Sequence, residues 1–221
     1  LKAQIDAFEG IGGVGVVVDV KTGEIHSLVS LPDFDPNNLA AKSDDASFNR
    51  ATLGVYEMGS TFKIFNTAMA LESGQINLAD RYDATKPIRI ARFTISDYHA
   101  KKRWLSVPEI FMYSSNIGSV KMVLDVGTEM QQGFLQKLGL LERMSLEVPE
   151  TGTPMLPRPW RQISTMTISF GHGLSVTPLH LASGVATIVN GGIRYPPSLL
   201  AHPAGAPANG ERIISDVTSK N

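Results

Sequence analysis

The chain has 221 residues, 43% of them apolar, which suits one domain with a real core and excludes disorder over most of its length. A formal net charge of −1 argues against a surface made for nucleic acid or for an anionic membrane. The absence of cysteine excludes disulfide frameworks, thiolate metal sites and a cysteine nucleophile. No stretch reaches the roughly 18–20 apolar residues that span a bilayer, and no signal peptide is recognisable. The first residues, Leu1-Lys2-Ala3, enter mid-pattern without a methionine, so the chain is expected to be a piece of a longer polypeptide.

Val14 to Val20 is mostly valine, Lys21-Thr22-Gly23-Glu24 reads as a turn, and Ile25 to Leu31 roughly alternates. That pattern predicts an antiparallel hairpin. Pro32 to Ser47 is rich in Asp, Asn and Pro and reads as a loop. Ser60 to Glu72 predicts an amphipathic helix stopped by Gly74. Asp80 to Arg103 has mixed polarity, with β-like pieces at Ile88-Arg89-Ile90 and Phe93-Thr94-Ile95. Its basic run, Lys101-Lys102-Arg103, reads as a solvated loop before a helix. Ser106-Val107-Pro108-Glu109 is a helix start with a capping box, and the helix should run to about Tyr113. Further helices are expected from Ile117 to Val126, from Thr128 to Leu138 before Gly139, and from Thr177-Pro178 to Asn190 before Gly191-Gly192. Ala201 to Gly210 is rich in Pro, Gly and Ala and reads as a surface loop. The fold class is therefore α/β or α+β: a hairpin followed by a mostly helical body.

Ser60-Thr61-Phe62-Lys63 places a hydroxyl and an amine at i and i+3 on one helix face. A serine hydroxyl is a poor nucleophile unless a base takes its proton, and lysine serves as that base only if its pKa is lowered. The apolar neighbours Phe62, Ile64, Phe65, Met69 and Leu71 supply the desolvation this needs. Ser114-Ser115-Asn116 lies at a helix–helix junction, where short side chains reach a cleft but also commonly cap helices. An S-x-x-K followed by an S-x-N is the order found in penicillin-recognising acyltransferases.

On these motifs the chain resembles the transpeptidase domain of class B penicillin-binding proteins, most closely the cell-division type. The likeness runs through Val16-Val17-Val18-Asp19 with Lys21-Thr22-Gly23-Glu24-Ile25, through Asn49-Arg50-Ala51-Thr52 up to Lys63, and through Phe170-Gly171-His172-Gly173-Leu174-Ser175-Val176-Thr177-Pro178-Leu179. It implies a fold like that of penicillin-binding proteins and serine β-lactamases, with an antiparallel sheet packed against helices and a mostly helical subdomain. Two departures stand out: Met58 where the family usually has proline, and no late K-T-G strand motif. Lys21-Thr22-Gly23 precedes the nucleophile in a hairpin turn, which explains its glycine fully, and Thr151-Gly152-Thr153 lacks the lysine. Residues 1–221 are thus expected to be one transpeptidase domain lacking its C-terminal part, including late sheet strands.

The resemblance implies that Ser60 attacks the carbonyl between the terminal D-alanines of a peptidoglycan stem peptide, with Lys63 as its base. Ser114 would pass the proton to the leaving amine, and Asn116 would bind substrate and help place Lys63. The oxyanion would take one donor from the Ser60 backbone N–H and a second from the strand bearing the late motif, so these residues alone are expected to acylate poorly. No metal or organic cofactor is implied. Implied partners are stem peptides ending in D-Ala-D-Ala, β-lactams as covalent inhibitors and proteins of the division complex. Nucleic acid is not among them. The implied location is the periplasmic side of the bacterial inner membrane, through an N-terminal anchor outside this chain. The five histidines (His26, His99, His172, His180, His202) lack metal-ligand spacing, and His172, Asp19 and Glu57 read as structural before catalytic. Two other readings stay open: a serine β-lactamase or β-lactam sensor, and a non-catalytic module of the division machinery.

Overall fold

The computed structural model describes residues 1–41, 43–90, 92–203 and 209–221. A short helix, α1 (Lys2–Ala7), leads into β1 (Gly13–Val18), which pairs antiparallel with β2 (Ile25–Leu31) as the valine run predicts. The connecting turn is held by Asp19, whose Oδ1 accepts the backbone N–H groups of Lys21 (2.7 Å) and Thr22 (3.1 Å). Gly23 closes the turn at φ 80°, and a Cβ there would strike the Pro196 carbonyl. Lys21-Thr22-Gly23 is therefore turn chemistry, as expected.

The stretch expected to be loop contains one turn of 3₁₀ helix at Leu39–Ala41 and the helix α2 (Asp44–Ser47). Ser43 caps α2 by accepting the Ala46 N–H, and Asp44 and Asp45 complement its N-terminus, so local capping overrides the loop-like composition. A 3₁₀ turn, Gly59–Phe62, then feeds α3 (Lys63–Glu72), and Gly74 at φ 70° ends it. The predicted helix thus exists, with a tighter first turn that carries Ser60.

Four short strands follow: β3 (Arg81–Asp83), β4 (Ile88–Ile90), β5 (Phe93–Ile95) and β6 (Trp104–Ser106). β4 and β5 form a hairpin from the two β-like pieces, while β3 pairs with β6 around it. The outer pair has no sequence signal, because three residues carry no periodicity. The basic run lies before β6, with Lys101 and Arg103 over the Tyr113 ring (4.5 and 5.8 Å) and Arg103 paired with Glu109 at 2.7 Å.

α4 (Val107–Met112) starts with the predicted capping box between Ser106 and Glu109. It is followed by α5 (Asn116–Val126), α6 (Thr128–Lys137), α7 (Gln162–Ile168) and α8 (Pro178–Val189), the last capped by Thr177. β7 (Ile193–Arg194) pairs with β8 (Glu211–Arg212), and α9 (Asp216–Lys220) follows. α7 escapes sequence reading because Gln-Ile-Ser-Thr-Met-Thr-Ile is rich in β-branched residues. In the expected loop Ala201 to Gly210, residues 204–208 lie outside the described residues.

α3 is the central element. Phe62, Phe65 and Met69 are at most 2% exposed and pack with Met122 and Val123 of α5, Phe134 and Leu135 of α6, Ile168 of α7 and Ile188 of α8. Phe62 and Phe65 meet edge to face at 5.1 Å. Each such side chain contributes about 1.5–3 kcal/mol by leaving water. A second cluster of Ala84, Leu105, Ile110 and Ile117 joins the β3–β6 pair to α4 and α5. At its far end α3 is tied to α9: Glu72 Oε2 accepts from Ser215 N (3.0 Å), Ser215 Oγ (3.0 Å) and Thr218 Oγ1 (2.6 Å). Among the described residues no helix is long and apolar enough to cross a membrane.

Candidate active site

The turn bearing Ser60 is braced from behind by a loop far along the chain. Tyr56 and Val176 exchange backbone hydrogen bonds at 2.9 and 3.0 Å, and the Gly59 N–H donates to the Gly171 carbonyl at 3.1 Å. Glu57 Oε1 accepts the Gly173 N–H at 2.7 Å. Gly171 sits at φ 83°, and a Cβ there would overlap the backbone of Gly59, so only glycine fits. Glu57 and Asp19 both hold backbone, as expected of them.

Ser60 and Ser114 are exposed, whereas Lys63 beneath them is only 2% exposed. Its Nζ lies 2.9 Å from Ser60 Oγ, 2.9 Å from Ser114 Oγ, 2.9 Å from the Ser114 carbonyl and 2.7 Å from Asn116 Oδ1. One amine thus joins the four residues singled out from sequence, across 51 and 53 positions of chain. Burial pushes the Lys63 ammonium down to about 8, with the Asp97 carboxylate pulling the other way.

Ser114 has φ 54°, a left-handed conformation that costs a non-glycine residue about 1–3 kcal/mol. It is held by the hydrogen bonds of Ser114 N to Phe111 O (3.1 Å) and Ser115 N to Ile110 O (2.9 Å). The conformation turns both the carbonyl and the hydroxyl of Ser114 toward one nitrogen. Asn116 is oriented by its Nδ2 donating to Ser96 O at 3.0 Å, which points Oδ1 at Lys63. Ser115, 1% exposed, caps α5 by accepting the Gly118 N–H at 2.9 Å and donates to Asp97 Oδ2 at 2.8 Å. Sequence reading missed Ser96, Ser115, Asp97 and the brace at Gly171. Gly171 was visible in a glycine-rich segment, but nothing in the sequence told which backbone it would meet.

Among the described residues, no histidine is a partner of Lys63 Nζ. His180 is buried, shares a proton between Nδ1 and Thr177 Oγ1 (2.7 Å), and places Nε2 3.0 Å from Glu142 O. Burial keeps its pKa below the ordinary value. His172 is exposed and lies against Phe170, ring centres 5.4 Å apart. Among the described residues no cluster of three or more His, Asp or Glu could hold a metal.

A buried amine is thus set between two exposed serines and a carboxamide, on helices packed beside short antiparallel ladders. The model of the penicillin-binding protein transpeptidase domain matches residues 13–221, and the chain belongs to that family, in its class B branch. It is 39% identical over 219 residues to a probable peptidoglycan D,D-transpeptidase FtsI of Caulobacter vibrioides, covering 99% of this chain and 37% of that protein. It is 33% identical over 206 residues to the peptidoglycan D,D-transpeptidase FtsI of Escherichia coli, covering 92% of this chain and 34% of the relative. The chain therefore spans little more than a third of these relatives. Its fold superimposes on the TP domain of penicillin-binding protein 3 from Burkholderia pseudomallei with a TM-score of 0.88 at 27% identity, covering 100% of this chain and 62% of that one.

Proposed function

We propose that this chain carries the nucleophile side of a peptidoglycan D,D-transpeptidase acting in septal wall synthesis, with Ser60 as the acylated residue. The observation that carries this reading is the set of four oxygens around Lys63 Nζ. A neutral amine has two N–H donors and one lone pair. The Ser114 carbonyl and Asn116 Oδ1 can only accept, so they take the two N–H groups. The lone pair is left for a hydroxyl proton, either that of Ser60 or that of Ser114. With a pKa of about 8, roughly a tenth of Lys63 is in this form at pH 7, and the fraction rises through pH 8.

In this scheme Ser60 Oγ attacks the carbonyl carbon of the penultimate D-alanine while its proton moves to Lys63 Nζ. The C–N bond then breaks, and the departing D-alanine amine takes a proton from the Ser114 hydroxyl, which Lys63 replenishes. The amine of a second stem peptide reverses the path and releases Ser60 with a new cross-link. One Asn116 Nδ2 hydrogen engages Ser96 O. The other is left for a substrate carbonyl. The Ser60 N–H, in the first turn leading to α3, supplies one oxyanion donor.

The same reading makes D-Ala-D-Ala stems the substrate, β-lactams covalent inhibitors, division proteins the partners, and the outer face of the inner membrane the site of action. The resemblance to division-type transpeptidases favours it over the β-lactamase and the non-catalytic readings. Labelling of the full-length protein with a fluorescent penicillin tests it. We expect stoichiometric adduct on Ser60 and none in Ser60→Ala, a loss of at least about 10,000-fold. Rapid turnover of a chromogenic cephalosporin would make the protein a β-lactamase, and an unlabelled native protein would leave the non-catalytic reading.

A further inference from the structure

Asp97, just beyond β5, touches none of the reacting groups yet reaches the Ser114–Asn116 side of the site twice. Its Oδ2 accepts the Ser115 hydroxyl at 2.8 Å and its Oδ1 accepts the Ile117 N–H at 2.9 Å. The preceding residue adds a third tie, because Ser96 O accepts Asn116 Nδ2 at 3.0 Å. Residues 96–97 thus clamp three successive residues, 115 to 117, at the N-terminus of α5. The Ile117 N–H is one of the donors that a helix start leaves without an intrahelical partner, and a carboxylate there also complements the helix dipole. Charge-assisted bonds of this kind are stronger than neutral ones.

We infer that Asp97 is a positioning residue for acyl transfer, acting through Ser115 and the start of α5 to hold Ser114 and Asn116 against Lys63. The inference rests on the transpeptidase reading only for its kinetic arm. Two features of the geometry and one of the electrostatics support it. Ser114 is in a costly left-handed conformation, so its neighbour must be fixed for that conformation to persist. Ser115 is 1% exposed and divides its hydroxyl between capping α5 and binding Asp97, so it transmits the clamp directly. Asp97 is also the charged group whose field bears on Lys63, favouring the ammonium, while the atoms Nζ touches on Ser60, Ser114 and Asn116 are neutral. The carboxylate therefore has two separable effects, a hold on geometry and a restraint on how readily the amine loses its proton.

Two variants of the full-length protein separate them. Asp97→Asn keeps the shape and removes the charge. We expect the ratio of penicillin acylation rates at pH 6.5 and pH 9 to rise about threefold over wild type, because the titrating amine loses its favourable neighbour. Ser115→Ala keeps the charge and removes the link. Its acylation rate should fall about tenfold at every pH, with the wild-type pH profile retained. Direct titration of the Lys63 amine by nitrogen NMR, assigned with Lys63→Arg, reads the charge effect without any acylation. Asp97→Asn should move that titration to lower pH and Ser115→Ala should not. A wild-type titration in Asp97→Asn, or wild-type acylation in Ser115→Ala, overturns the inference. Failure of wild-type labelling would instead strike the transpeptidase reading, and the NMR titration would still decide the role of Asp97.

Discussion

The two sides of the site are built differently. Ser60 and Lys63 belong to one continuous turn, three residues apart, so their contact follows from helix geometry once the turn forms. Ser114 and Asn116 face Lys63 only because strands, a capped helix and a loop acid hold a non-glycine residue at positive φ. One side is local and the other is assembled. The difference teaches that Lys63 is placed by its own helix, whereas its partners are placed by the rest of the domain.

The sharpest way to break this comparison is to remove the residue both sides share. Lys63→Met should lower the penicillin acylation rate about 1,000-fold while leaving the fold intact by circular dichroism. The remaining activity should lose the rise with pH that wild type shows through about pH 8, since that rise belongs to the amine. A smaller loss is expected from the brace behind the nucleophile. Gly171→Ala puts a Cβ into the Gly59 backbone at a positive φ. We expect about 3 kcal/mol of lost stability and about 100-fold slower acylation, read by thermal melting and labelling kinetics. If melting drops while the rate holds, the nucleophile side is more self-sufficient than its brace implies. Glu57→Gln, which weakens a single charge-assisted bond to Gly173, should slow acylation only about two- to fivefold. A larger effect would give Glu57 a role beyond holding backbone.

The same contrast explains what was legible before the structure. Ser60 and Lys63 stand out because a spacing of three on an apolar helix is a physical statement. Ser114 and Asn116 stand out only by the order of the motifs and the likeness to a family. Asp97 left no trace, since it lies 18 residues before Ser115 in a segment of three-residue strands without periodicity. Gly171 meets Gly59 across more than a hundred residues, and no local pattern encodes such a contact. Among the elements, the hairpin and the capped helices α4, α5 and α8 were readable from turn residues and caps. The β3–β6 pair and α7 were not, because three-residue strands carry no periodicity and α7 is rich in β-branched residues.

The burial of Lys63 under two exposed hydroxyls has a consequence for chemoselectivity. An amine is intrinsically a better acceptor of acyl groups than an alcohol, and an acyl group on nitrogen would be an amide that the second substrate could not remove. Lys63 is 2% exposed and has four oxygens around its nitrogen, so it cannot approach a bound carbonyl. In the proposed reaction the fold would act as a protecting group, directing acylation to the oxygen, where the ester would stay labile and the cycle could finish.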